Sequence, residues 1–123
     1  MTNSAANAYF QAQKSAATPR SAEAIVFTQA AVALDQAKSL THDYEAYSDV
    51  LKSNQKLWTV MQADLLEDGN RLTDDLKQKL LGISTFVDQQ TLKALADPQA
   101  EYLDALIEIN KNIAGGLRDR PRD

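Results

Sequence analysis

Apolar residues recur every three or four positions between residues 47 and 65, the spacing that places them on one face of an α-helix. The residues that set this pattern are Tyr47, Val50, Leu51, Leu57, Trp58, Met61 and Leu65. Asn54 lies on the same face, where an amide is expected either to be buried and hydrogen-bonded or to be kept for a partner. The pattern predicts a long amphipathic helix that ends at the turn signal Asp68-Gly69-Asn70.

An earlier helix is predicted to begin at Pro19, because Thr18 supplies a capping hydroxyl and proline is favoured at the first helical position. Small and apolar residues cover more of its circumference than one neighbouring helix can bury. This helix therefore either lies centrally among the others or keeps part of its surface for a partner. The residues considered for such a surface are Ile25, Val26, Ala30, Ala33 and Leu34.

Two further helices are predicted after the turn. Thr73 provides a capping hydroxyl for the first of them. Gly82, in the interior of that helix, predicts close approach of another helix, since glycine otherwise costs about 1 kcal/mol relative to alanine. Asp97-Pro98 predicts the start of the last helix, and Gly115-Gly116 predicts its end.

These elements predict an all-α fold, a compact bundle of about four helices with short connections. Residues 1–18 form either a short extra helix or an arm, residues 19–114 the helical bundle domain, and residues 115–123 a disordered tail. A length of 123 residues fits one domain.

Charge and cysteine content narrow the possible functions. The net charge of −4, with scattered basic residues, does not favour direct binding to nucleic acid. The absence of cysteine excludes disulfides, thiolate metal ligands and a thiol nucleophile. No run of about 18 apolar residues and no signal-peptide pattern is present, so we expect no membrane insertion and a cytoplasmic location.

The sequence offers little for catalysis. His42 is the single histidine, in a predicted inter-helix turn, and no serine nucleophile accompanies it at a known spacing. The acidic residues near Asp68 match no metal-binding loop, and no phosphate-binding or dinucleotide motif occurs. We therefore expect no enzymatic activity, no metal and no cofactor. Trp58 could belong to the core or to an interface, whereas Asn54, Ser84 and Asp88 lie on or beside apolar seams and need partners.

An ordered set of short motifs resembles the FlaF family of flagellar biosynthesis proteins of alphaproteobacteria. The matching segments are Ala8-Tyr9, Pro19-Arg20 with Glu23, Asn54-Gln55-Lys56-Leu57-Trp58-Thr59, Asn70 with Leu72, and Ser84-Thr85-Phe86-Val87-Asp88 with Thr91. The chain departs from the family pattern at Thr73, where a proline is usual, and at Gln89 and Gln90, where basic residues are usual.

The resemblance implies a non-enzymatic cytoplasmic protein that binds flagellin as a secretion chaperone, promotes its synthesis and filament assembly, and works with the regulator FlbT. We expect a flagellin segment to pack into an apolar groove, with the helix that begins at Pro19 as the first candidate. The candidate partner-binding residues are Ile25, Val26, Ala30, Ala33, Leu34, Asn54, Trp58, Phe86 and Asp88. The alternative is a structural homodimer that acts through a different partner, such as FlbT or flagellin mRNA.

Overall fold

Four α-helices and one short 3₁₀ helix account for most of residues 19–70 and 72–118, which are the residues that the computed structural model describes. The helices are α1 (Pro19–Ala37), α2 (Tyr44–Leu65), α3 (Asp74–Ala96), a 3₁₀ helix (Ala100–Leu103) and α4 (Asp104–Arg118). This part of the chain contains no β-strand, so the predicted all-α fold is confirmed. The predictions for residues 1–18 and 119–123 concern segments outside the described residues.

The starts of α2 and α3 follow from capping side chains. The Asp43 carboxylate accepts a hydrogen bond from the backbone N–H of Ala46 at 3.2 Å, at the start of α2. The Thr73 hydroxyl accepts one from the backbone N–H of Leu76, also at 3.2 Å. Both bonds satisfy backbone donors that a helix leaves unpaired in its first turn. The predicted cap at Thr73 is therefore confirmed.

Hydrogen bonds between the helices show that successive helices alternate in direction. The Tyr44 hydroxyl, at the start of α2, donates to the backbone carbonyl of Leu95, near the end of α3, at 3.0 Å. Near the end of α2, Gln62 donates to Ser84 in the middle of α3, as expected for an antiparallel pair. An ion pair of 2.6 Å joins Lys38, just after α1, to Asp104, the first residue of α4, so α1 and α4 run antiparallel.

The most extensive packing in the described bundle is between α1 and α4, the first and last of these helices. The buried residues of α1 extend over about 200° of its circumference at 100° per residue. They are Ala22, Ala24, Val26, Phe27, Ala30, Ala31, Leu34 and Ala37. Of the two interpretations of this wide apolar surface, the structure therefore supports a central position in the core.

The last helix differs from its prediction at both ends. Asp97 ends α3, where its backbone N–H bonds the carbonyl of Lys93 at 3.1 Å, and α4 begins only at Asp104. At the other end, α4 passes through Gly115-Gly116 and reaches Arg118, so the predicted end is wrong. Buried Ala114 and partly buried Ile113 and Leu117 pack on the core, and this packing offsets the low helix propensity of the two glycines.

The prediction for Gly82 is also wrong. Gly82 is exposed on α3, and a Cβ added there would meet no atom within 4 Å. The same space surrounds Gly115 and Gly116. None of these three positions needs glycine for close packing, so each lowers helix stability by about 1 kcal/mol relative to alanine with no packing gain.

Candidate interaction surface and buried amide cluster

Most of the residues proposed to bind a partner lie in the core instead. Val26, Ala30, Leu34, Asn54 and Trp58 are each no more than 2% exposed. No partner can reach these side chains while the bundle is closed, which corrects their assignment to a binding surface. The question left open for Trp58 and Asn54 is thereby answered in favour of the core.

Two buried residues of α2, Asn54 and Trp58, belong to one hydrogen-bonded cluster with α4. The indole Nε1–H of Trp58 donates to Oδ1 of Asn110 at 3.0 Å, and Nδ2 of Asn110 donates to Oδ1 of Asn54 at 2.8 Å. All three side chains are buried. We call these residues the amide cluster; it links α2 to α4 through polar bonds inside the core.

One donor in the amide cluster has no partner. Nδ2 of Asn54 is buried and makes no hydrogen bond with any of the described residues. An unsatisfied buried donor costs free energy, because folding removes it from water without replacing the lost bond. The contact between α2 and α4 is thus weaker at this point than a fully paired network would be.

Packing holds the indole of Trp58 in its place. Phe27 of α1 meets it edge to face, with ring centroids 5.4 Å apart and planes inclined by 71°. This geometry suits the aromatic quadrupoles. Trp58 therefore contacts α1 through its ring and α4 through its N–H, which explains why a tryptophan occupies this position on α2.

Sequence reasoning found Asn54 but missed Asn110, although the signal in the two helices is the same. Asn110 lies three residues after Ile107 and four before Ala114, both of which are buried on α4. An amide on the apolar stripe of a second helix is the complement that Asn54 required. Each asparagine interrupts the apolar stripe of its helix, so a comparison of the two stripes would have identified Asn54 and Asn110 as partners.

The family motif on α3, from Ser84 to Thr91, has some side chains in the core and others on the surface. Ser84 is fully buried and accepts a hydrogen bond from Nε2 of Gln62 on α2. Thr91, also buried, donates to the carbonyl of Val87 one turn earlier at 2.7 Å. Asp88 is half-buried, whereas Phe86 is 42% exposed. Only the exposed members of this motif can contact another molecule.

Large exposed apolar side chains lie on α1, on α3 and at the two ends of α2, where Tyr44 is 51% and Leu66 is 70% exposed. Ile25 is 48% exposed and Val32 is 53% exposed. Seven residues separate them, so they point in nearly the same direction about 10 Å apart along α1. On α3, Phe86 and Leu92 are exposed near the two margins of its outer face. Ala33, the remaining candidate on α1, is half-buried.

The surface around Ile25 and Val32 carries few charges. On α1, the exposed positions beside Ile25 and Val32 are Thr28, Gln29 and Gln36, with one charged residue, Asp35, at the edge. We call this set, Ile25 to Gln36 along the outer side of α1, the outer face of α1. The exposed residues of α2 and α4 contrast with it: they include Glu45, Asp49, Lys52, Lys56, Asp104, Glu108 and Lys111.

Three titratable groups with raised pKa values lie around the segment that joins α3 to α4. Burial raises the pKa of the Tyr47 hydroxyl, which donates to the carbonyl of Gln99 at 2.9 Å. Burial and the nearby Asp97 carboxylate raise the pKa of Tyr102. The hydrogen bond to Asp104 raises the pKa of the Lys38 ammonium. Each of these groups has a clear structural partner, and together they fix the connecting segment against α1 and α2.

The described residues contain no group of three or more His, Cys, Asp or Glu side chains placed to hold a metal ion. His42 is exposed in the turn between α1 and α2, as predicted. Among residues 19–70 and 72–118, no helix is both long enough and apolar enough to cross a membrane.

The alternating helices, the sealed core and the apolar side chains on α1 and α3 define a small all-α bundle protein. A sequence profile described as "Flagellar protein FlaF" matches residues 5–117, nearly the whole chain. The chain therefore belongs to the FlaF family of flagellar proteins, which confirms the resemblance seen in its motifs. No curated protein and no solved structure gives a significant match.

Proposed function

We propose that this protein binds flagellin in the cytoplasm as a non-enzymatic secretion chaperone and thereby promotes flagellin synthesis and filament assembly. Membership of a flagellar family provides the setting. The observation that carries the binding role is the outer face of α1, where Ile25 and Val32 are about half exposed in a low-charge surrounding.

An amphipathic helix from flagellin would lay its apolar side along this outer face. Helices bind such surfaces through anchors spaced one or two turns apart, which is the spacing of Ile25 and Val32. The exposed glutamines beside them, Gln29 and Gln36, can hydrogen-bond with polar residues at the rim of the bound helix.

Calorimetric titration of purified flagellin into the protein tests the proposal directly. Three ligands are needed: the full-length flagellin and two forms that each lack one terminus. We expect binding that is retained by one truncated form and lost with the other. The absence of binding by full-length flagellin at tens of micromolar would refute the chaperone role.

Paired substitutions locate the binding surface. Ile25→Gln with Val32→Gln removes both apolar anchors while keeping helix propensity high. Lys52→Gln with Lys56→Gln makes a matched change on the exposed side of α2. We expect the first pair to weaken flagellin binding at least tenfold and the second to change it less than twofold. Equal effects of the two pairs would place the site elsewhere.

The same outer face favours one alternative, a homodimer in which two copies cover Ile25 and Val32 of each other. Such a protein would act through a different partner, such as FlbT or flagellin mRNA. Sedimentation velocity separates the two functions. A monomer at all concentrations fits the chaperone, whereas a dimer that Ile25→Gln with Val32→Gln dissociates fits the alternative.

A further inference from the structure

Two independent weaknesses coincide in α4. Gly115 and Gly116 lie inside its last turns, where neither avoids a steric clash, since a Cβ at either position would meet nothing within 4 Å. Glycine in a helix favours the unfolded chain, because it gains the most backbone freedom there. The C-terminal part of α4 is therefore poorly stabilised by its own sequence.

The second weakness is the link between α4 and α2. Asn110 bonds both Trp58 and Asn54, yet Nδ2 of Asn54 remains without a partner in the core. When α4 moves away, water can reach all of these groups, so opening this contact recovers the hydration that the unpaired donor lost. This recovered hydration offsets part of the cost of opening α4 at this point.

What opening would uncover follows from the helix directions. Because α4 runs antiparallel to α1, its glycine-containing end lies beside the start of α1. The first turns of α1 contribute Ala22, Val26 and Phe27 to the core. These apolar side chains would become accessible next to Ile25, which is exposed already.

We propose that the C-terminal half of α4 is a strap that opens reversibly and uncovers the buried apolar side of the first half of α1. The opening is a property of this chain alone. Its role rests on the function proposed above: the uncovered side chains would join Ile25 in holding the flagellin helix, so that α4 and the flagellin helix compete for α1.

The absence of cysteine makes the opening measurable by thiol labelling. Ala114→Cys places a thiol on the buried side of α4, where Ala114 is 1% exposed. Ala94→Cys is the matched reporter on α3, where Ala94 is fully buried. We expect a thiol reagent to label the first variant at least tenfold faster than the second, because only α4 opens locally.

Alanine substitutions then test whether Gly115 and Gly116 cause the opening of α4. Gly115→Ala with Gly116→Ala should slow labelling of the Ala114→Cys protein by tenfold or more. Gly82→Ala is the matched control, since it makes the same change in an equally open part of α3 and should leave that labelling rate unchanged. Equal labelling of the two reporters, or no slowing by the alanine pair, would overturn the strap.

Titration of flagellin into the Gly115→Ala, Gly116→Ala protein tests whether opening of the strap contributes to flagellin binding. A loss of affinity of fivefold or more supports competition between the strap and the flagellin helix. Unchanged affinity, together with slowed labelling, overturns that role and leaves the opening itself established. If the unsubstituted protein does not bind flagellin at all, the proposed function fails, while the labelling result still decides whether the strap exists.

Discussion

Removal of Asn110 should destabilise the bundle more than removal of Asn54, the other amide of the cluster. Asn110 occupies the middle of the cluster, accepting from Trp58 at 3.0 Å and donating to Asn54 at 2.8 Å. In Asn110→Ala, both neighbours lose their partner while they remain buried. Each buried group that loses its partner lowers the free energy of unfolding by about 1–3 kcal/mol. The small cavity left by the missing side chain lowers it by about 1 kcal/mol more. The expected loss is about 3–7 kcal/mol.

The corresponding change at Asn54 has a smaller expected effect. Asn54→Ala leaves only Nδ2 of Asn110 without its acceptor, and it also removes the amide donor that had no partner before. The destabilisation from the unpaired Nδ2 of Asn110 is partly offset, because the unpaired Nδ2 of Asn54 is removed. We expect a loss of about 1–2 kcal/mol.

Urea denaturation followed by the fluorescence of Trp58, the single tryptophan, provides the free energies of unfolding. Asn112→Ala is the control, because Asn112 has the same side chain on the same helix but is exposed, and it should cost less than about 0.5 kcal/mol. The double variant Asn54→Ala, Asn110→Ala should cost less than the sum of its parts. Additive losses, or equal losses for the two single variants, would refute this account of the cluster.

Three further predictions concern capping, helix propensity and ionisation. Thr73→Ala should cost about 1 kcal/mol in urea denaturation, because the N–H of Leu76 loses its acceptor; no loss would mean that water replaces the cap. Gly82→Ala should raise the thermal midpoint, with a gain of up to about 1 kcal/mol, since the added methyl group meets open space; a lower midpoint would contradict that geometry. Tyr47→Phe should cost about 1 kcal/mol at neutral pH through its lost bond to Gln99. Because the folded pKa of Tyr47 is raised, the stabilising contribution of its hydroxyl is complete below the unfolded pKa near 10 and is lost as pH rises through the folded value. The difference in free energy of unfolding between the unsubstituted protein and Tyr47→Phe should therefore become smaller above about pH 10. A difference that does not change with pH would refute the raised pKa of Tyr47.

The sequence predicted the helices whose limits depend on local chemistry. Thr73 caps α3 through a bond to a residue three positions away, so the signal and its consequence lie in one short segment. The apolar spacing around Trp58 likewise identified α2, because helical periodicity is a property of neighbouring residues. The family motifs were recognised for the same reason, since each is a short run of consecutive residues.

The start of α4 could not be read locally. Asp97-Pro98 has the composition of a helix start, yet the chain stays extended there and forms a 3₁₀ helix before α4. Distant residues hold this segment: the carbonyl of Gln99 accepts from Tyr47, and the carbonyl of Tyr102 accepts from Gln90 at 2.9 Å. These contacts exist only after α2 and α3 have packed, and no pattern within the segment encodes them.

By itself, the sequence determined that this protein is an all-α bundle of the FlaF family, because helix periodicity, caps and short motifs are local properties. It also marked Asn54 as a polar residue that required an explanation. Tertiary structure alone decided which apolar residues remain accessible: Val26 and Trp58 are sealed in the core, whereas Ile25 and Phe86 are exposed. The physical reason is that burial depends on which helices pack together, and the pairing of α1 with α4 joins segments about 70 to 100 residues apart.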